Sequence, residues 1–108
     1  MAKNDLQGTL DLLILKTLAQ LSSAHGYGIV LHIERSSGEL LHVEEGSLYP
    51  ALHRMEQSDW VESEWAISET NRRAKFYRLT NAGHAQLAAT EKSWQTVVKG
   101  VQAVMKFA

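Results

Sequence analysis

The sequence contains no cysteine among its 108 residues and only one proline. Without cysteine the chain can form no disulfide, no thiolate nucleophile and no cysteine-based zinc or iron–sulfur site. The sequence also lacks an excess of positive or negative charge, because its formal net charge is -1 at pH 7. The total charge therefore does not indicate a nucleic-acid partner. Any nucleic-acid interface must therefore rest on a local cluster of charge.

A hydrophobic run long enough to span a bilayer is absent too, and Met1 to Asp5 lack the apolar region of a signal peptide. These absences predict a soluble, cytoplasmic protein with no membrane partner. Hydrophobic residues make up 44% of the chain and charged residues 21%, which is typical of a folded domain and unlike a disordered chain. We therefore expect one compact domain with a modest core.

Motifs of several enzyme classes are missing as well. There is no G-x-S-x-G nucleophile elbow, no phosphate-binding P-loop and no dinucleotide fingerprint, so the sequence indicates neither an enzyme nor a cofactor. The histidines show no tight ligand spacing. We interpret His42, with its neighbours Glu44 and Glu45, as a surface residue rather than part of a metal site.

Apolar residues recur at helical spacing in the first half of the chain. The spacing predicts a first helix from Leu10 with Thr9 as its N-cap, and a second helix from about Tyr27 to Ser36. The second helix should close at Gly38, and Gly26 should let it begin close to a neighbour or to DNA. Each of these glycines therefore marks a helix end.

The first helix also carries apolar residues off its main stripe, namely Leu12 and Leu15. This indicates a second neighbour, such as a subunit interface. A third helix is predicted to open at Ser47, which would be its N-cap. Pro50 would then lie within the first turn, where a missing N–H breaks no intrahelical hydrogen bond.

Two β-like segments follow, Trp60 to Ser68 and Arg73 to Leu79, and residues 69–72 between them suit a hairpin loop. The last segment, Asn81 to Ala108, is one long helical pattern with apolar residues at seven-residue spacing. We call these apolar positions the seam; they are Leu87, Trp94, Val97, Val101 and Val104. So small a domain cannot cover the seam alone, so we predict a homodimer.

This order of elements predicts a mainly α fold with a small β-hairpin. It corresponds to a winged helix-turn-helix domain over residues 1–80 and a C-terminal dimerisation helix over residues 81–108. In a winged helix the third helix enters the DNA major groove, and the hairpin, called the wing, reaches along the backbone. The fold alone does not decide the function.

Local charge adds a second indication. Four basic residues lie between Thr70 and Thr80 with no acidic residue among them, namely Arg72, Arg73, Lys75 and Arg78. They would neutralise phosphates on a DNA backbone, or they would form an ordinary solvated face of the hairpin. The sequence leaves both interpretations open.

Four polar or amphipathic residues lie outside the apolar stripe of the third helix and are able to face a groove: Ser47, Tyr49, His53 and Arg54. Only Arg54 can make the bidentate contact to guanine that reads sequence strongly. Its place past the first turn favours a phosphate instead. An ordinary exposed helix face would carry the same residues.

Three segments resemble the PadR family of bacterial repressors. They are Gly26 to Ile29, Gly46 to Glu56, and Arg72 to Thr80 followed by Gly83, and the second is the most specific. The resemblance runs from about Leu10 to the end, and the single long last helix is similar to the short, single-domain subfamily. It implies a transcriptional repressor that binds a pseudo-palindromic double-stranded operator as a homodimer.

The resemblance also implies roles for single residues. On the recognition helix it implies DNA-binding roles for Ser47, Tyr49, Pro50, His53 and Arg54. On the wing and nearby backbone it implies phosphate contacts by Tyr27, Arg72, Arg73 and Lys75. Dimerisation would use the first and last helices. Asp59 stands where many relatives carry glycine, so the turn after the recognition helix should be strained.

Trp94 lies on the seam and has two interpretations. In multidrug-sensing relatives of the short type, a tryptophan of the last helix stacks on a planar aromatic effector between the subunits, and this segment is similar. The indole would equally well pack the dimer interface. A different function also stays open: a winged helix that serves only as a protein-interaction or dimerisation module, which the near-neutral charge favours and the basic wing opposes.

Overall fold

A computed structural model describes the backbone of residues 3–106 and the side chains of residues 9–106. It confirms the mainly α fold with a small hairpin. The elements are, in chain order, α1 (Lys3–Leu21), β1 (Ala24–His25), α2 (Gly26–Ser36), α3 (Glu45–Gln57), β2 (Val61–Ile67), β3 (Arg73–Leu79) and α4 (Asn81–Lys106). The wing consists of β2, β3 and the loop between them.

The sheet is antiparallel, with the strand order β1-β3-β2. The hairpin pairs β2 with β3 from Val61 opposite Leu79 to Ile67 opposite Arg73. The sequence did not predict β1, because a strand of two residues carries no periodic signal. β1 pairs Ala24 with Tyr77 and thereby attaches the base of the wing to the start of α2.

The core lies where α1, α2, α3 and the sheet meet. Its side chains of less than 2% exposure include Ile14, Leu15, Leu18, Ile29, Leu48, Leu52, Met55 and Val61. Burial of one such side chain contributes about 1.5–3 kcal/mol to stability. α1 packs against α4, α2 and β3 of its own chain, so Leu12 and Leu15 are buried without a second subunit. The predicted second neighbour of α1 thus exists, but within the protomer.

Two predicted helix starts were wrong. α1 begins at Lys3, so Thr9 lies inside the helix and does not cap it. α3 begins at Glu45 with the extended residue Glu44 as its N-cap, and that cap makes no side-chain hydrogen bond. Ser47 is therefore the third residue of α3, not its cap. Pro50 lies in the second turn, where its missing N–H leaves the carbonyl of the exposed Gly46 without its usual intrahelical donor.

Both α2 and α3 end in a left-handed residue. Gly38 has a φ of +63° after α2, as expected for a glycine at this position. Asp59 has a φ of +64° after α3, and the turn is closed by the N–H of Trp60 donating to the carbonyl of Met55 at 2.9 Å. The strain predicted at Asp59 therefore falls where the sequence indicated, at a cost of about 1 kcal/mol.

The junction between α3, the wing and α4 is centred on Thr80. Its hydroxyl donates to the carbonyl of Asp59 at 2.6 Å and accepts from the N–H of Gly83 at 3.0 Å. The N–H of Thr80 donates to the carbonyl of Trp60 at 3.0 Å. A Cβ on Gly83 would overlap that same carbonyl, so glycine is required for α4 to approach.

The two halves of α4 differ in burial. Leu87 in the first half is 8% exposed and belongs to the protomer's own core, which corrects its assignment to the seam. In the second half Trp94 is 40% exposed, Val101 53% and Val104 71%, while Val97 is partly buried. The second half of α4 therefore leaves an apolar stripe exposed. The molecule is elongated, with extents of 53 × 29 × 22 Å. Within residues 3–106, no helix is long and apolar enough to cross a membrane.

Candidate nucleic-acid interface

An open groove of about 1150 Å³ lies between the wing, α2 and the first half of α3. Five of the nine residues predicted to contact DNA line it: Tyr27, Tyr49, Arg72, Arg73 and Lys75. The other four, Ser47, Pro50, His53 and Arg54, are exposed on α3 outside the groove lining. The fold therefore brings residues from three separate segments of the chain to one concave surface.

The start of α2 is fixed by His25 and Gly26. The Nδ1 atom of His25 accepts from the N–H of Gly28 at 3.0 Å and caps the helix, while its ring meets Phe76 edge-on at 5.2 Å. A Cβ on Gly26 would lie 2.5 Å from the hydroxyl of Tyr49, so only glycine lets this ring pack here. The prediction that Gly26 permits a close approach is confirmed, and the neighbour is Tyr49.

Arg54 is held by Asp11 of α1, a contact that the sequence analysis missed. Its Nη1 and Nη2 atoms donate to Oδ2 and Oδ1 of Asp11 at 2.8 and 3.0 Å. These hydrogen bonds raise the pKa of Arg54 above its ordinary value. The terminal fork of the guanidinium is therefore engaged, whereas a guanine contact needs such a fork free. With its side chain 55% exposed, Arg54 keeps outward donors, which suits a phosphate.

Glu56 joins α3 to the wing. Its two carboxylate oxygens accept from the hydroxyl of Ser63 at 2.6 Å and from the ammonium of Lys75 at 3.2 Å. The hydrogen bond from Ser63, supported by Lys75 and opposed by burial, lowers the pKa of Glu56. The ammonium of Lys75 also lies 5.7 Å from the ring centroid of Tyr77. The ion pair of Lys75 with Glu56 thus connects the wing to α3.

Arg78 is held on the opposite face of the wing. Its Nε atom donates to Glu62 at 2.6 Å, and its Nη1 atom donates to Glu64 at 3.3 Å. Glu62 lies directly opposite Arg78 in the hairpin register. The basic run had no acidic residue within it along the chain, but the sheet supplies two from the neighbouring strand. We refer to Arg54, Lys75 and Arg78 as the held cations.

The remaining two basic residues, Arg72 and Arg73, lie at the end of the wing, and we call them the tip cations. Both are exposed, and no carboxylate of residues 9–106 forms an ion pair with either. The guanidinium of Arg73 lies 4.9 Å from the centroid of the Trp65 ring. The loop beside them is closed by the N–H of Ser68, which donates to the carbonyl of Arg72 at 2.7 Å.

The three residues considered as metal ligands, His42, Glu44 and Glu45, lie around the start of α3. His42 lies 3.5 Å from Glu34, Glu44 precedes α3 and Glu45 begins it. In the part of the chain that the structure describes, no group of three or more histidine, aspartate or glutamate side chains could hold a metal ion.

The sequence matches the Transcriptional regulator PadR-like family over residues 14–89. A transcriptional regulator from Clostridium thermocellum is 26% identical, with a TM-score of 0.81 and coverage of 95% of this chain and 96% of that one. A PadR-like transcriptional regulator from Bacillus cereus is 28% identical, with a TM-score of 0.75 and coverage of 95% and 97%. An uncharacterised protein from Lysinibacillus sphaericus is 26% identical over 107 residues, 98% of this chain and 97% of its own length.

Proposed function

This chain belongs to the PadR-like family of transcriptional regulators, which are not enzymes, and we propose that it binds operator DNA as a homodimer and represses transcription. The observation that carries the proposal is the groove that joins the tip cations to the start of the recognition helix. Cations at a hairpin end contribute affinity for any duplex, while polar side chains on a helix in the major groove read bases. Repression would follow from exclusion of the polymerase.

The contact between Arg54 and Asp11 indicates which residues of α3 contact phosphate and which contact bases. With its fork engaged, Arg54 is left to contact phosphate, and base contacts fall to Ser47, Tyr49 and His53. Pro50 offers only apolar contact. Tyr27, which is 59% exposed beside the groove, has a hydroxyl suited to a backbone phosphate.

The experiment is a fluorescence anisotropy titration against the chain's own upstream intergenic DNA and a scrambled duplex, at two salt concentrations. We expect tighter binding to the upstream DNA, with both affinities falling as salt rises. His53→Ala should weaken binding to the upstream DNA only, and Lys99→Ala, on the exposed polar side of α4, is the matched control. No binding to either duplex at low salt would favour the interaction-module alternative and reject a DNA-binding function.

A homodimer is supported by the apolar stripe on the second half of α4. Trp94, Val97, Val101 and Val104 fall on one side of this helix, and three of the four are exposed in the protomer. Val101→Glu should convert a dimer into a monomer, because it puts a charge into the apolar stripe. Sedimentation measures the change in mass. Lys99→Glu lies on the other side of the helix and should leave the mass unchanged. An unchanged mass for Val101→Glu would contradict this interface.

An effector site at Trp94 is part of the same proposal. Its indole is 40% exposed on the stripe, so two such rings in a dimer would offer flat surfaces to a small planar aromatic compound. Titration with planar cationic dyes should quench tryptophan fluorescence in the wild type but much less in Trp94→Ala. Equal quenching in Trp94→Ala would leave Trp94 as a packing residue of the dimer interface.

A further inference from the structure

The two faces of the wing carry different chemistry. Side chains alternate across a strand, so the hairpin register puts Trp65 and Ile67 of β2 on the same face as Arg73, Lys75 and Tyr77 of β3. Trp65, Arg73, Lys75 and Tyr77 all line the groove. The opposite face carries Glu62 and Glu64 with Arg78 between them. The acids of β2 are therefore kept off the groove face.

Trp65 and Ile67 are large apolar side chains that the protomer leaves in water. They are 58% and 63% exposed, and neither belongs to the hydrophobic core. Their cross-strand partners are Lys75 and Arg73, both cations. The hydrophobic core thus gives no reason for an indole at position 65.

The surroundings of Trp65 are positively charged. Its ring stacks with the guanidinium of Arg73 at 4.9 Å. The groove lining contains one carboxylate, that of Glu69, against the four basic side chains of Arg35, Arg72, Arg73 and Lys75. An exposed apolar ring flanked by cations matches a polymer in which apolar sugar faces alternate with phosphates, and duplex DNA is such a polymer.

We propose that Trp65 is a DNA-contacting residue whose indole packs against deoxyribose in the backbone beside the recognition helix. Arg73, stacked on the ring, is then directed at the flanking phosphate, and Ile67 extends the apolar contact towards the end of the wing. This proposal rests on the proposed function and adds to it a contact that is apolar rather than ionic. Because every nucleotide has the same sugar, the contact contributes affinity without sequence preference.

Substitution of Trp65 has a distinct signature. Trp65→Ala should weaken binding to the upstream DNA and to the scrambled duplex by the same factor, about tenfold, through lost apolar contact. It removes no charge, so the slope of log affinity against log salt should stay unchanged, whereas loss of a phosphate contact lowers that slope. Trp65→Phe keeps a ring and should recover most of the affinity. Arg78→Ala, on the opposite face, is the matched control and should bind like the wild type.

A second measurement uses the unaltered sequence. The chain has three tryptophans, so 5-fluorotryptophan labelling gives three 19F resonances, and Trp65→Phe identifies the one from position 65. On addition of duplex DNA, we expect the Trp65 resonance to shift most. This measurement does not depend on how well Trp65→Ala folds.

The outcomes separate the two proposals. If the protein binds DNA while the Trp65 resonance stays in place and Trp65→Ala binds as tightly as the wild type, the sugar contact is rejected and the proposed function stands. If Trp65→Ala weakens only upstream DNA, Trp65 reads bases and the sugar contact is again rejected. If the wild type binds no duplex, both proposals fall.

Discussion

The tip of the wing and the body of the candidate interface carry basic side chains in two different electrostatic states. Arg72 and Arg73 at the tip have no ion-pair partner in the range 9–106, whereas Arg54, Lys75 and Arg78 each donate to a carboxylate within 3.3 Å. All four wing cations lie within seven positions of one another in the sequence. Neighbourhood along the chain therefore says little about which cation can neutralise a phosphate.

The difference has a simple physical origin. A cation that already faces a carboxylate must exchange one anion for another on binding DNA, so its net gain is small, while an unpaired cation gains the whole phosphate interaction. Of the held cations, Arg54 joins α3 to α1, Lys75 joins the wing to α3, and Arg78 joins the two strands of the wing. Under the proposed function, the tip cations supply most of the salt-dependent affinity, and Arg54 adds a smaller phosphate contact.

Removal of both tip cations should have the largest effect. If each neutralises one phosphate, Arg72→Ala with Arg73→Ala should lower the slope of log affinity against log salt by about 2, and the affinity at 0.1 M salt roughly 50-fold. The measurement is an anisotropy titration over a salt series. A slope equal to that of the wild type would show that the tip and body do not differ in function.

Asp11→Asn should come next, and its effect should be on stability. It keeps the shape of the side chain but removes the charge that holds Arg54, so we expect the free energy of unfolding to fall by about 1–2 kcal/mol in urea denaturation. Glu69→Gln removes an exposed charge in the wing loop and is the matched control. An equal, small change in both variants would argue that the Arg54–Asp11 pair contributes no more than an ordinary surface pair.

Glu56→Gln should reduce stability by an amount that depends on pH. The pKa of Glu56 is lowered in the folded state, so its ionised form contributes stability above the ordinary carboxylate pKa, and that contribution is lost as the pH falls through the lowered value. The wild type should be more stable than Glu56→Gln by about 1 kcal/mol at pH 7, and the difference should shrink towards zero in acid. Urea denaturation at pH 7 and below pH 4 measures it; a difference that grows in acid would contradict the assigned role.

Arg78→Ala should have the smallest effect. Arg78 is exposed and faces Glu62 and Glu64 away from the groove, and ion pairs in such exposed positions contribute little to stability. We expect less than about a twofold change in DNA affinity. A loss as large as that from one tip cation would place the reverse face of the wing against DNA and overturn the comparison.

Sequence periodicity predicted the elements whose signal is local. α2 and β3 were predicted to within one residue, and the left-handed turn at Asp59 was predicted from the resemblance. The start of α3 was misplaced because Glu44 ends the preceding loop by backbone conformation alone, without a capping side chain to read.

The contacts that distinguish the held cations from the tip cations could not be predicted from the sequence. Asp11 and Arg54 are 43 positions apart, and nothing in either segment indicates the other. Arg78 meets Glu62 only because the hairpin adopts one register, and a shift by one residue would move Glu62 to the groove face. Candidate interface residues were thus available from the resemblance, but their charge state required the three-dimensional structure.

The junction at Thr80 holds the end of α3 and the start of α4 close together. One hydroxyl joins the turn that ends α3 to the first turn of α4, and Gly83 sits against the carbonyl of Trp60 with no room for a methyl group. We therefore expect a tilt of α4 to move the C-terminal end of α3 with it. Under the proposed function, the angle between α4 and α3 at this junction sets the direction of the recognition helix.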